Sequence, residues 1–365
     1  LHNEIHQARP ITMETCTNIE TPAMHTGALV SAIILVLLFS MQSVHAQQGK
    51  TWVTYEPGDG PGQGKHIVLV SGDEEYRSEE ALPMMARILA QHHGFKTTVL
   101  FALDPDSGEI DPENQNNIPG IEQLQSADLM VIFTRFRGLP EAQMKYVDDY
   151  LKAGKPIVGM RTSTHAFKFP EDSPYAKYSF DSKKEGWEGG FGRQILGETW
   201  IDHHGSHGKE GTRALIDGIK AREEHPILQG VEDIWAATDV YGTRELTGDP
   251  EVLVWGQPTN GMTPEASINW QKTVMPVAWT KEYTSESGKT GRVFNTTMGA
   301  SIDLVNEDLR RLLVNACYWA LGMEAQIPEE SNVAIIGEYK PTMFGFGDHQ
   351  KGMQPADFAA NQIDE

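Results

Sequence analysis

"KHIVLVSGDEEYRSEEALPMMARILAQHHG", Lys65–Gly94, decides the fold. Its opening, "KHIVLVSG", is a continuous apolar run closed by Ser-Gly, the pattern of a strand buried on both faces of a parallel sheet. "SEEALPMMARILAQHHG" then switches to helical periodicity: Ser78 is the expected N-cap, acids fill the first turn and Gly94 ends it. Further on, "FKTTVLFAL" (95–103) and "ADLMVIFTRF" (127–136) read as strands, with a polar loop over 104–120 between them. "LPEAQMKYVDDYLKAGKP" (139–156) is an amphipathic helix, followed by a short strand in "PIVGM" (156–160). Strand and helix alternate at the spacing of a doubly wound α/β fold, which predicts a mostly parallel sheet with helices on both faces.

On the amino-terminal side, residues 47–64 are a Gly/Pro-rich lead-in. Residues 24–46 have the layout of a secretory signal peptide: an apolar run from Ala28 to Phe39, then Val44-His45-Ala46 as a small-x-small cleavage pattern. That run is shorter than the roughly 20 residues a membrane span needs. Residues 1–23 are polar and patternless and read as an upstream leader. The expectation is an exported protein, periplasmic or secreted, with no stable membrane insertion after cleavage. Cys16 falls in the leader, so Cys317 is left without an internal disulfide partner and is expected in the core. The formal charge of −21 opposes nucleic acid and anionic membrane surfaces and suits a neutral or cationic small ligand.

On the carboxyl-terminal side regularity breaks over 162–210, a long segment rich in Gly, His and aromatics. Loops of this length inside a compact domain are usually functional. Strand-like runs return in "TRALIDG", "EVLVWG", "PVAWT" and "GRVFNTTMG", and "NEDLRRLLVNACYWALGM" closes the fold as a helix. One domain over 65–324 is expected, then an extended arm over 325–365.

Ligands of open α/β sheets bind outside the carboxyl ends of the strands. That rule selects Asp73, Glu74, Glu75 and Tyr76 after the first strand, Arg135 and Arg137 after "VIFT", and Arg161 and His165 after "IVGM". The excursion from the last of these carries "IDHHGSHG" (201–208), with His203, His204 and His207. Three chemistries fit. General acid–base work needs one or two histidines, here His165, His203 and His204, with Asp73 or Glu75 assisting and Arg135, Arg137 or Arg161 orienting the substrate. Tyr76 and Trp187 are aromatic candidates for stacking on a sugar ring. A metal-dependent hydrolase would draw a divalent ion such as zinc to His203, His204 and His207, although no HExxH or paired CxxC motif is present. A covalent serine mechanism at Ser163 lacks the G-x-S-x-G frame. The reading adopted is acid–base catalysis without a cofactor; a metal site and a non-catalytic binding domain are the alternatives.

"HIVLVSGDEEYRSEEALP", "PIVGMRTSTHAF", "HPILQGV", "PVAWTKEY", "GRVFNTTMG" and "LRRLLVNACYWALG", in that order over residues 65–323, resemble the ThuA-like (trehalose-utilisation) family. The resemblance implies the flavodoxin-like fold of the class I glutamine-amidotransferase-like superfamily and a carbohydrate ligand. It also implies no glutaminase activity, because Arg161 or a neighbour stands where those enzymes need a cysteine. Where the family often has Gly-His after the "GRVF" strand, this chain has Gly299-Ala300.

Overall fold

The computed structural model describes residues 51–360. The leader, the signal segment and residues 47–50 of the lead-in lie outside the described residues, as do 361–365 of the arm. The strands are β1 (Trp52–Tyr55), β2 (His66–Gly72), β3 (Lys96–Leu100), β4 (Leu129–Thr134), β5 (Ile157–Met160), β6 (Thr212–Ala214), β7 (Trp235–Ala236), β8 (Glu251–Pro258), β9 (Met275–Thr284) and β10 (Thr290–Thr296). The helices are α1 (Ser78–Gln91), α2 (Glu141–Lys152), α3 (Ile216–Lys220), α4 (Glu307–Ala320) and α5 (Pro355–Ala360). None is long and apolar enough to cross a membrane among the described residues.

The strands make one sheet in the order β1-β3-β2-β4-β5-β10-β9-β8-β6-β7. Its β3-β2-β4-β5-β10 block is parallel, whereas β1 and the β10-β9-β8-β6-β7 half pair antiparallel. The sheet is therefore mixed, not mostly parallel. The reason lies in the connections: a parallel crossover needs a dozen or more residues, usually a helix, but β9 and β10 are joined by the short turn 285–289.

Alternate strand residues feed opposite faces. Ile67, Leu69, Val131, Phe133 and Phe294 pack with α1 and α4 on one side. Val68, Val70, Met130, Ile132 and Val293 pack with Met144, Val147 and Leu151 of α2 on the other. Fully burying each such side chain is worth about 1.5–3 kcal/mol, so the two-sided pattern fixes strand register firmly. Gly72 lies beside Thr134 and Met160 beside Thr296, which brings the carboxyl ends of β2, β4, β5 and β10 to one rim.

Two local expectations change. Ser78 is the first residue of α1, not its cap; Arg77 precedes it at φ 61°. The Ser78 hydroxyl instead accepts from the Asp73 N–H at 3.0 Å, tying the turn after β2 to the helix. The arm is also more than an extended strap. It ends in α5, where Phe358 stacks on Phe101 with 5.4 Å between ring centroids, and its carbonyl accepts from Tyr55 and Arg87. Cys317 is buried in α4, and burial pushes its thiol up to about 12.

Candidate active site

The turn after β2 is held by Asp73. One carboxylate oxygen accepts the N–H groups of Glu75 (2.8 Å) and Tyr76, and the other accepts the Thr162 hydroxyl. Asp73 thus stitches the β2 turn to the β5 turn and spends its acceptor capacity on that framework. Glu74 is buried between Arg135 and Arg137. Arg137 is fully buried and also donates to the carbonyls of Arg135, Pro112 and Asn114 at 2.7–2.9 Å. The structure therefore places Arg137 in the scaffold beneath the rim. Arg135 stays partly exposed, its guanidinium 4.6 Å from the Phe136 ring centroid and 5.0 Å from that of Phe346.

The turn after β5 places Arg161 at φ 49°, a left-handed conformation that is strained for a side chain with a Cβ. Its guanidinium lies 3.9 Å from the Tyr76 ring centroid and 4.7 Å from that of Tyr241, donates to the carbonyls of Asp239 and Thr297, and has an Nη2 3.9 Å from an Asp239 carboxylate oxygen. Ser163 is engaged as scaffold, its hydroxyl donating to the Ile132 and Met160 carbonyls at 2.6 and 2.7 Å. His165 meets the Thr164 hydroxyl at 3.1 Å and is ringed by Phe136, Tyr241 and Trp200 at 5.0, 5.3 and 5.6 Å. Burial, reinforced by Arg135, Arg161 and His203, holds this imidazole well below its ordinary pKa, so it is neutral at physiological pH.

The distant "IDHHGSHG" loop folds onto the same place. His203 contacts the Trp200 and Tyr241 rings that also flank His165. His203 Nδ1 lies 2.7 Å from Asp239 Oδ2 and His207 Nδ1 lies 3.2 Å from Asp239 Oδ1. On its far side, His207 Nε2 is 3.3 Å from a Glu75 carboxylate oxygen. Gly205 permits this approach: a Cβ there would fall 2.7 Å from the Asp239 Cβ. Burial pushes the Asp239 carboxyl up, but the His203 hydrogen bond, Arg161 and His207 together hold it below the usual carboxylate range. For Glu75 the balance goes the other way: burial and Asp73 outweigh Arg135, Arg161 and His207, and its pKa is raised.

Not every candidate joins this group. His203 bridges to Tyr241 as extended backbone, so successive side chains alternate and His204 turns away. His204 is buried with no hydrogen-bond partner for its Nε2 among the described residues, and burial lowers its pKa. Trp187 packs edge-on against Tyr178 at 4.9 Å, in a hollow shared with Leu151 and Tyr283. Tyr283 pairs with Gly291 at the start of β10, so Trp187 lies toward the amino ends of the parallel strands, away from the rim. Asp239, in contrast, stood in no motif. Its place depends on the buried Asp303 carboxylate, which accepts Thr238 N–H and hydroxyl at 3.0 and 2.7 Å, a long-range pairing without local signature.

The carboxyl-terminal arm roofs the group. Phe344 stacks on Tyr76 at 5.3 Å and lies 5.0 Å from the His207 ring. Gly345 donates to the Glu75 carbonyl at 2.8 Å, and Arg77 donates to the Gly345 carbonyl at 2.7 Å.

A protein-family model described as ThuA, trehalose utilisation, matches residues 66–320. Among solved structures, a protein described as ThuA-like from Parabacteroides merdae is similar, at 14% identity over 77% of this chain and 97% of that one, with a TM-score of 0.44. PurLQS from Thermotoga maritima is similar at 13% identity over 70% of this chain and 99% of that one, with a TM-score of 0.35. No curated protein matches the chain.

Proposed function

The chain belongs to the ThuA (trehalose utilisation) family, and from that premise we propose an enzyme that acts on a sugar or sugar derivative over the carboxyl ends of β2, β4 and β5. The family description gives the carbohydrate-related role. The acid–base chemistry is our own reading, and one observation carries it: His207 joins Asp239 and Glu75 through its two ring nitrogens, at 3.2 and 3.3 Å, beside the pocket that holds a neutral His165. Such an arrangement can take a proton from a sugar hydroxyl or an acidified C–H and return it to a leaving oxygen. In this reading Glu75 and His165 exchange protons with the substrate. His203 and His207, fixed by Asp239, form the polar wall that meets its hydroxyls, and Arg135 with its flanking rings lines the entrance.

We propose no glutaminase activity, because the strained position after β5 holds a guanidinium and not a thiol. The flavodoxin-like, doubly wound reading applies to the parallel block, supported by α1 and α2 packing on opposite faces of β2 and β4. Export with cleavage after Ala46 completes the proposal, on the apolar run Ala28 to Phe39. Sequencing the amino terminus of the cell-free protein tests it.

The function is tested by incubating purified protein with intact and oxidised disaccharides and following products by NMR. Turnover that falls at least about 100-fold in Glu75→Gln, with binding kept, is the expected result for a lost acid–base group. A sugar that binds without turnover, with affinity unchanged in His165→Ala, overturns the enzymatic reading in favour of a binding domain.

A further inference from the structure

We infer that His203, His207 and Asp239 form a binding site for one divalent transition-metal ion, with Glu75 holding the other ring nitrogen of His207. The ion would serve sugars that present two neighbouring oxygens, such as a vicinal diol or a hydroxy-ketone. This substrate class rests on the function proposed above; the ion site itself does not.

The donor atoms are already gathered. One ligand atom from each of the three residues lies within 4.8 Å of the other two. At metal–ligand distances of about 2.0–2.1 Å, tetrahedral ligands sit roughly 3.4 Å apart. The His207–Asp239 separation of 3.2 Å is near that spacing, and the 2.7 Å His203–Asp239 contact opens by less than an ångström. Two imidazoles and one carboxylate are the donor set of zinc and of iron(II) or manganese(II) centres with open positions.

Three features separate this group from a surface hydrogen-bond cluster. Asp239 is fully buried, and both its carboxylate oxygens face imidazole nitrogens. Its orientation is fixed from behind by Thr238, which Asp303 holds, and by the Arg161 bond to its carbonyl. Supporting contacts of this kind orient metal ligands. Glu75 meets the other ring nitrogen of His207 at 3.3 Å and so orients that ligand from behind, and the Phe344 ring lies 5.0 Å from the His207 ring. An ion held by three protein ligands keeps positions that two neighbouring oxygens of a sugar could fill. Asp239 replaces His204 in this assignment because the alternation along 203–204 points His204 elsewhere.

Untagged full-length protein, stripped with a chelator and dialysed, is titrated with Zn²⁺ and with Co²⁺. The expected result is about one equivalent bound, with visible d–d absorption from Co²⁺ in a nitrogen–oxygen site. His203→Gln and His207→Gln should each weaken binding at least about 100-fold while keeping the wild-type circular dichroism. Because Asp239→Asn strands the buried Arg161, the histidine variants carry the test. Less than a tenth of an equivalent of either ion, or unchanged affinity in both variants, overturns the inference. Full turnover by stripped protein overturns the ion's role toward the sugar and leaves the sugar enzyme standing. Stoichiometric metal with no turnover of any sugar would sink the functional reading and leave the site.

Discussion

Glu79→Gln should remove a pH-dependent weakness from the fold. Glu79 is the second residue of α1 and is 6% exposed, and neither carboxyl oxygen has a hydrogen-bond partner among the described residues. Ile110, Met353 and Phe358 line the hollow around it. Burial, aided by Glu80 and Asp73 against Arg77, raises its pKa from 4.5 to about 8. The native chain therefore holds a proton that the unfolded chain releases above pH 4.5. Because the folded state binds more protons in this window, stability falls as pH rises from about 4.5 to 8 and levels off beyond. One pKa unit is about 1.4 kcal/mol, so the loss between pH 4.5 and pH 7 is at most about 3 kcal/mol.

Glutamine keeps the volume and carries no charge at any of these pH values. Its amide still lacks partners, which adds a roughly constant cost of about 1–3 kcal/mol. The informative quantity is thus the difference in unfolding free energy between variant and wild type as a function of pH. Urea denaturation at pH 4.5, 5.5, 6.5 and 7.5 should show that difference moving toward the variant by roughly 2–3 kcal/mol. A difference constant within about 0.5 kcal/mol across the series would refute the buried, unpaired state of this carboxyl.

His93 gives the opposite slope. Burial holds its imidazole down to about 4 while its nitrogens meet the Tyr318 hydroxyl and the Asn332 carbonyl at 3.1 and 2.8 Å, so stability is lost as pH falls from about 6.5 toward 4; His93→Gln should flatten this acid limb by roughly 2–3 kcal/mol in acid titrations followed by circular dichroism. Phe344→Ala removes the ring over Tyr76 and His207 and should cost about 1–3 kcal/mol, with faster diethylpyrocarbonate modification of His207 by peptide mapping; an unchanged rate would show that the arm does not shield the site. Gly205→Ala puts a Cβ 2.7 Å from that of the buried Asp239 and should lower Co²⁺ affinity at least about tenfold, with a stability cost of about 1–3 kcal/mol in urea denaturation.

The parallel half of the fold was legible because its residues carry local signals. "IVLV", "LMVIF" and "IVGM" are apolar without a break, and Gly94 and Gly154 end the helices at φ 75° and 67°. The rim followed from the rule about strand ends, and the loop with His203 does reach the same two rings as His165. What the sequence hid depends on distance. Nothing near Asp239 marks it, since its position is set by Asp303 some sixty residues on and by Arg161 from the opposite side. Side-chain direction was hidden as well: His203 and His204 are neighbours in the chain, yet the extended pairing with Tyr241 sends one to the rim and the other away. The antiparallel half could have been inferred, because no helical stretch separates "PVAWT" from "GRVFNTTMG".

Arg161 links architecture to chemistry. Sharp turns after a buried strand can aim a nucleophile at the rim, and the left-handed backbone they need costs of order 1–3 kcal/mol at a residue with a Cβ. Here that turn carries a side chain that cannot attack a carbonyl. Its guanidinium lies between Tyr76 and Tyr241 and fastens the Asp239 and Thr297 carbonyls. The strained turn therefore serves to orient a carboxylate and not to expose a nucleophile. The positive charge also helps keep Asp239 ionised despite its burial. Replacing Arg161 with cysteine would thus be a poor route to an amidotransferase: it would restore a thiol while stranding the buried Asp239, at a cost of about 3–5 kcal/mol for a broken buried pair.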